Sequence, residues 1–83
     1  MESYQLYKTD LCGFCHRVRR FCASHDIELP VVDVNHDRDA FRELLEATGR
    51  TTVPCLRIQR DDGVEWMFES LDIMRYIGDK HGV

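Results

Sequence analysis

The stretch Leu11-Cys12-Gly13-Phe14-Cys15-His16-Arg17-Val18 places two thiols three positions apart, just after a short apolar strand pattern (Tyr4, Leu6) and at the start of an amphipathic helix pattern. The first turn of a helix exposes unpaired backbone N–H groups and the positive end of the helix dipole, so a sulfur at Cys12 is expected to be stabilised as the thiolate. Cysteines so placed have pKa values of roughly 3.5–7.5, which makes a nucleophile at neutral pH. Cys15, one turn further in, is expected to reach the same sulfur partner and to close a disulfide once Cys12 has attacked.

Rival chemistries of the same residues conflict with their surroundings. Cys12-Gly13-Phe14-Cys15-His16 also fits the c-type haem attachment pattern, but that group needs export, a second axial ligand and a mostly helical wrapping. A single zinc held by Cys12, Cys15, Cys22 and His25 is strained by distance: seven helical residues between Cys15 and Cys22 span roughly 10.5 Å, too far for ligands of one ion. No metal centre confined to one chain is expected. Cys22, on an apolar stripe, and Cys55, after a proline, read as buried small hydrophobes. His16 reads as an exposed helix residue near the thiolate, and His36 and His81 as surface residues.

The chain has 83 residues and a net charge of -4. That length suits one domain over residues 1–83, burying about 60% of the surface of its unfolded chain. A net negative charge gives no support for a nucleic-acid partner. Met1 to Asp10 carries Glu2, Lys8 and Asp10 and lacks the apolar core of a secretory signal. No run approaches the ~18 apolar residues of a membrane span, so a soluble, cytoplasmic protein without a membrane partner is expected. In that compartment a close cysteine pair points to redox or metal chemistry rather than to a strut. The basic cluster Arg17, Arg19 and Arg20 reads as a solvated helix face.

The elements that must hold the thiols follow in order. Tyr4–Lys8 alternates as a short strand, and Gly13 to about Ser24 is a helix with Phe14, Val18, Phe21 and Cys22 on one stripe. His25-Asp26 turns the chain into a second strand, Ile27 to Val34, whose Pro30 lacks a ladder donor and so marks a sheet edge. Asp37 or Asp39 caps a helix carrying Phe41, Leu44 and Leu45 and ending at Gly49. Thr51–Gln59 and Val64–Phe68 form a hairpin around Asp61-Asp62-Gly63, with Trp66 and Phe68 packing it against a helix. Ser70 caps a last helix with Leu71, Ile73, Met74 and Ile77, ending near Gly78. The order βαβαββα predicts an α/β fold in which a four-stranded mixed sheet is flanked by three helices. With a Cys-x-x-Cys after the first strand, this is the thioredoxin-like arrangement.

Three separated motifs now carry a family resemblance: Cys12-Gly13-Phe14-Cys15, Thr52-Val53-Pro54, and Glu69-Ser70 followed by Ile73, Tyr76 and Ile77. Together they resemble the glutaredoxins and the N-terminal domain that glutathione transferases share with the longer glutaredoxins. The resemblance implies that Cys12 is the nucleophile and Cys15 the resolving thiol. It implies a cis bond before Pro54 that presents the Val53 N–H and C=O to glutathione like an added strand. Thr52, Val53 and Pro54 would thus hold the tripeptide, while Glu69 takes its α-ammonium and Ser70, at a helix start, its α-carboxylate. Gly-Phe stands where glutaredoxins often have Pro-Tyr, and Lys8 lies one position further from Cys12 than their usual lysine. Lys8, Arg17 and Arg50 are therefore the candidates for the glycyl carboxylate.

The implied function is a glutathione-dependent thiol-disulfide oxidoreductase that reduces glutathione mixed disulfides and protein disulfides, with glutathione as co-substrate and glutathionylated or disulfide-containing proteins as partners. The second, all-helical domain of the transferases has no counterpart in the sequence, which disfavours transferase activity. The alternative is a carrier of a 2Fe-2S cluster, bridged by two copies that each give one cysteine and one glutathione, or a non-catalytic glutathione-binding module. A monomer is expected unless a cluster joins two copies.

Overall fold

Alternation along the first strand sets up two layers of packing. In the computed structural model, which describes residues 2–83, β1 (Ser3–Lys8) sends Leu6 to one face of the sheet and Tyr7 to the other, as the two-residue repeat of a strand requires. After it come α1 (Gly13–Ser24), β2 (Val31–Asp33), α2 (Arg38–Thr48), β3 (Cys55–Arg60), β4 (Gly63–Met67) and α3 (Ser70–Lys80), the expected βαβαββα order. The sheet order is β2-β1-β3-β4, with β1 and β2 parallel and the other pairs antiparallel. Val18 and Cys22 of α1 and Ile73 and Ile77 of α3 pack on Leu6, Leu56 and Ile58. On the opposite face Ala40 and Leu44 of α2 pack on Tyr7, Val34 and Cys55. Each large side chain so buried stabilises the fold by roughly 1.5–3 kcal/mol relative to exposure. Among the described residues no helix is long and apolar enough to cross a membrane.

Several expected boundaries move, each for a local reason. The second strand is only Val31–Asp33 rather than Ile27–Val34. Pairing starts where the Leu6 N–H donates to the Pro30 carbonyl at 2.8 Å, and Ile27 and Leu29 instead turn into the core on the α1 and α3 side. β2 is nonetheless an edge strand, as Pro30 requires. β3 begins at Cys55 rather than Thr51, because Pro54 has no N–H to give the ladder; the Val53-Pro54 bond is cis. The apolar stripe expected on α2 is narrower than the sequence suggests: Ala40 and Leu44 point inward, while Phe41 and Leu45 are 39% and 43% exposed. They lie one residue, about 100°, around the helix from the buried pair.

Capping separates two helices that look alike in sequence. The Asp37 side chain accepts from the Ala40 N–H at 3.0 Å, and Gly49 ends α2 with φ 72°, a left-handed turn that suits glycine. Ser70, expected as a cap, is instead the first residue of α3. The residue before it, Glu69, is the cap, is extended, and makes no side-chain capping bond. The helix therefore starts one residue earlier than a serine cap would place it.

A polar cluster ties the far end of β1 to the hairpin and α3. The Glu2 carboxylate accepts from the hydroxyls of Tyr4 (2.6 Å) and Tyr76 (2.7 Å) and from the Arg60 Nε (3.0 Å), with the Lys80 ammonium at 3.8 Å. These hydroxyls and cations hold its carboxyl down at about 2. The cluster sits at the start of β1, whereas the thiol pair follows its end.

Candidate functional site

Because β1 ends at Lys8 and α1 begins at Gly13, Cys12 falls at the cap position of α1, with extended backbone. Its sulfur accepts from the Cys15 backbone N–H at 3.1 Å, and as a thiol it donates to the Val53 carbonyl at 3.6 Å. On ionisation the second bond is lost and the first becomes charge-assisted, hence stronger. Cys15 is 1% exposed under the helix. Burial first, then its hydrogen bond with Cys12, push its thiol well up. The pair is thus divided into an accessible sulfur that receives a backbone donor and a covered one that holds its proton. His16 donates a ring N–H to the Asp10 carbonyl at 2.7 Å, fastening the loop that carries Cys12 to the first turn of α1.

The cis bond before Pro54 brings the loop from Thr52 to Pro54 alongside Cys12. That loop forms one wall of a groove of about 180 Å³, whose lining is Phe14, Arg50, Thr52, Val53, Pro54, Phe68, Glu69 and Ser70. All five residues expected to hold glutathione are thereby gathered on one groove, and Cys12 abuts it through Val53. A larger hollow, about 510 Å³, lies along Val31–Asp33 and His36–Asp39, but none of the four cysteines lines it. The placement of Ser70 as first helical residue leaves its N–H outside the intrahelical pattern, where the positive end of the helix dipole favours an anion.

The three candidate cations separate cleanly. Lys8 is taken up by Asp10 at 2.5 Å and Asp33 at 3.4 Å. Arg17 lies over the Phe14 ring at 5.5 Å and does not line the groove. Arg50 does line it, with its guanidinium 4.2 Å above the Phe68 ring. Phe68, expected only as packing, therefore both packs on the α2 side and lines the groove; its position immediately before Glu69 is the signal that could have found it. Trp66 packs as expected, edge-on to Tyr7 at 5.5 Å on the α2 side. Cys22 and Cys55 are buried, and burial pushes both thiols up, Cys55 to about 12.

The chain is similar to known proteins in sequence and in fold. A family model described as Glutaredoxin matches residues 5–64. Glutaredoxin 3 of Escherichia coli (strain K12) is 26% identical over 54 residues, which span 65% of this chain and 65% of that relative. Among solved structures, the chain is similar to the trimeric glutathione transferase TDR1 of Leishmania, with TM-score 0.74 and 28% identity over 94% of this chain and 18% of that one. It is also similar to glutaredoxin 2 of Salmonella typhimurium in complex with glutathione, with TM-score 0.73 and 28% identity over 96% of this chain and 34% of that one.

Proposed function

The chain belongs to the glutaredoxin family, and from that membership we propose that it is a glutathione-dependent thiol-disulfide oxidoreductase acting through Cys12. The observation that carries this reading is the contact of the Cys12 sulfur with the Val53 carbonyl, 3.6 Å, in the same loop that walls the groove ending at Glu69 and Ser70. Glutathione has two carboxylates and an α-ammonium. The groove offers a helix start at Ser70, a cation at Arg50 and a carboxylate at Glu69, a set of matching sign. Val53 offers its backbone N–H, and its carbonyl once Cys12 has ionised, to the extended tripeptide, as an added strand would.

In the reaction the Cys12 thiolate attacks the glutathionyl sulfur of a mixed disulfide. The old S–S bond breaks, the partner leaves as its thiolate, and Cys12 is left joined to glutathione. A second glutathione thiolate then attacks that bond, releasing oxidised glutathione and regenerating Cys12. With a protein disulfide, Cys15 takes the second step and closes the Cys12–Cys15 disulfide.

The test is turnover of the mixed disulfide of glutathione and 2-mercaptoethanol, with glutathione as reductant. Turnover is expected to saturate in glutathione, and Glu69→Gln and Ser70→Ala are expected to raise the glutathione concentration required. Equal rates with 2-mercaptoethanol in place of glutathione as the reductant would refute the groove assignment. The cluster-carrying alternative would have to be shared between copies, since among the described residues no three ligand side chains converge. Colourless protein after anaerobic purification with glutathione rejects it.

A further inference from the structure

Helix α1 carries a charge pattern that this chemistry leaves unused. From Leu11 to His25 the chain has Arg17, Arg19 and Arg20 and no acidic residue, in a protein of net charge -4. Elsewhere four cations are paired, Lys8 with Asp10, Arg57 with Glu43, and Arg60 and Lys80 with Glu2. Among the described residues Arg17, Arg19 and Arg20 form no such pair, and α1 has no acidic residue in its first turn to offset them. The buried side of α1 is Cys15, Val18 and Cys22. On a helical period His16, Arg17 and Arg20 lie on the opposite side, with Arg19 at its border.

The same end of the helix also exposes apolar surface around the nucleophile. Leu11, adjacent to Cys12, is 98% exposed, and Phe14, two residues beyond Cys12, is 59% exposed. Leu11 does not line the groove, so filling the groove would leave it uncovered. An exposed large apolar side chain thus lies on each side of the reactive sulfur in sequence, Leu11 before it and Phe14 after it.

We propose that Leu11 and the arginine face of α1 form the docking surface for the polypeptide half of the mixed disulfide, and that they select cysteines flanked by an apolar side chain and acidic residues. The inference rests on the glutathione reading above. With the tripeptide in the groove, the leaving sulfur lies in line beyond the glutathionyl sulfur. Its polypeptide must therefore pass over the surface around Cys12. Arg17 is about 7.5 Å along the helix axis from Cys12 and Arg20 about 12 Å, and a Debye length is about 8 Å at physiological salt. A segment docked there feels the arginines, whereas an extended polyanion also meets the protein's overall negative charge. A short acidic peptide thus fits better than nucleic acid or an anionic membrane.

Three substrates test this: the small glutathione–mercaptoethanol disulfide, and two glutathionylated peptides with leucine beside the cysteine, flanked by aspartates in one and lysines in the other. At low ionic strength kcat/KM is expected to favour the aspartate peptide by about tenfold. The margin should fall to about threefold or less at physiological salt. The Arg19→Glu/Arg20→Glu variant should abolish or invert that margin. Leu11→Ser should slow both peptides by about threefold, the scale of a partly covered leucine. Both variants should turn over the small disulfide at the wild-type rate, which also shows that they fold.

A wild-type enzyme active on the small disulfide but indifferent to peptide charge would overturn the docking surface and leave the glutathione reading intact. A charge preference that survives Arg19→Glu/Arg20→Glu would overturn it too, as would a single-stranded oligonucleotide inhibiting as well as the unmodified aspartate peptide. Wild-type protein inactive on the small disulfide would remove both readings at once.

Discussion

Replacing each thiol of the pair by itself probes the division of labour between them. Cys12 is partly exposed at the cap of α1 and Cys15 is 1% exposed beneath it, so only the first meets an incoming disulfide. Cys12→Ser is expected to lower turnover of a glutathione mixed disulfide to the uncatalysed rate, because a hydroxyl supplies no thiolate. Cys15→Ser is expected to keep most of it, and the contacts give the scale. The donor to the Cys12 sulfur is the Cys15 backbone N–H at 3.1 Å, which survives any change of side chain. A hydrogen bond to a charged group contributes about 1.5–3 kcal/mol, or roughly one to two decades in an equilibrium. What changes at position 15 is the side-chain hydrogen bond to Cys12. With Cys12 ionised that bond too is to a charged group, so its complete loss costs at most about 1.5–3 kcal/mol, or one to two decades. Serine keeps a donor and should lose less than Cys15→Ala. The assay follows oxidised glutathione release through glutathione reductase, alongside reduction of a protein disulfide, which Cys15→Ser should abolish. Complete loss of glutathione-disulfide turnover in both serine variants would refute the one-cysteine route and the assignment of Cys15 to the second step alone.

The remaining expectations concern what holds the groove in place. The Glu2 carboxyl is lowered from 4.5 to about 2 by the Tyr4 and Tyr76 hydroxyls and then by Arg60. Its contribution to stability is therefore present in full above pH 4.5 and is lost as pH falls towards about 2. Urea midpoints of wild type and Glu2→Gln should differ at neutral pH and converge at the acid end; a gap that does not change with pH would contradict this. Leu44, 0% exposed, is the large inward side chain of α2, and Leu44→Ala should cost about 2–5 kcal/mol in chemical denaturation. Phe41→Ser on the same helix should stay within about 1 kcal/mol, as surface substitutions do, and a larger effect would restore the wider stripe the sequence suggested. Gly49 has φ 72° at the end of α2, so Gly49→Ala should cost about 1–2 kcal/mol by the same measurement.

The fold was legible in the sequence because its periodicities are clean. Leu6 and Tyr7 alternate between layers, Val18 and Cys22 repeat on a helical stripe, and Asp61-Asp62-Gly63 marks a hairpin whose Gly63 has φ 148°. The element boundaries were less legible where backbone hydrogen bonding, not side-chain type, decides. Ile27 and Leu29 are apolar enough for a strand but leave the sheet for the core, and Thr51 to Val53 are extended in type but lead into a proline that cannot pair. Ser70 illustrates the same limit. A serine before an apolar run satisfies the capping pattern, yet whether it caps or begins the helix depends on one backbone turn that only the fold fixes. The candidate site was readable as motifs, because Cys12 and Ser70 sit at helix starts and Val53 in the loop before β3, outside the regular hydrogen-bond ladders. Arg50 and Phe68 gave weaker signals, since their role comes from a stack between a loop and a strand end that are 18 residues apart in sequence.

The separation of the cations explains how so small a fold assembles a groove of mixed charge. Lys8 ends β1 directly opposite Asp33 in the parallel register, and the Asp33 carboxyl is held low by the Asn35 N–H first and by Lys8 after it. Withdrawing Lys8 to serve a ligand would leave Asp33, only 16% exposed, without its cation, which is costly for a charge so placed. The basic residue of the groove must therefore come from elsewhere, and it comes from the turn out of α2. Gly49 bends the chain with a left-handed residue, and Arg50 follows at once, above Phe68. The groove thus draws its cation from the α2 layer on one face of the sheet and its helix start, Ser70, from the α3 layer on the other, with Cys12 at the cap of α1. A substitution that loosens α2, such as Leu44→Ala, should accordingly raise the glutathione concentration needed for turnover before it abolishes Cys12 chemistry, because the thiol and its donor belong to the other layer.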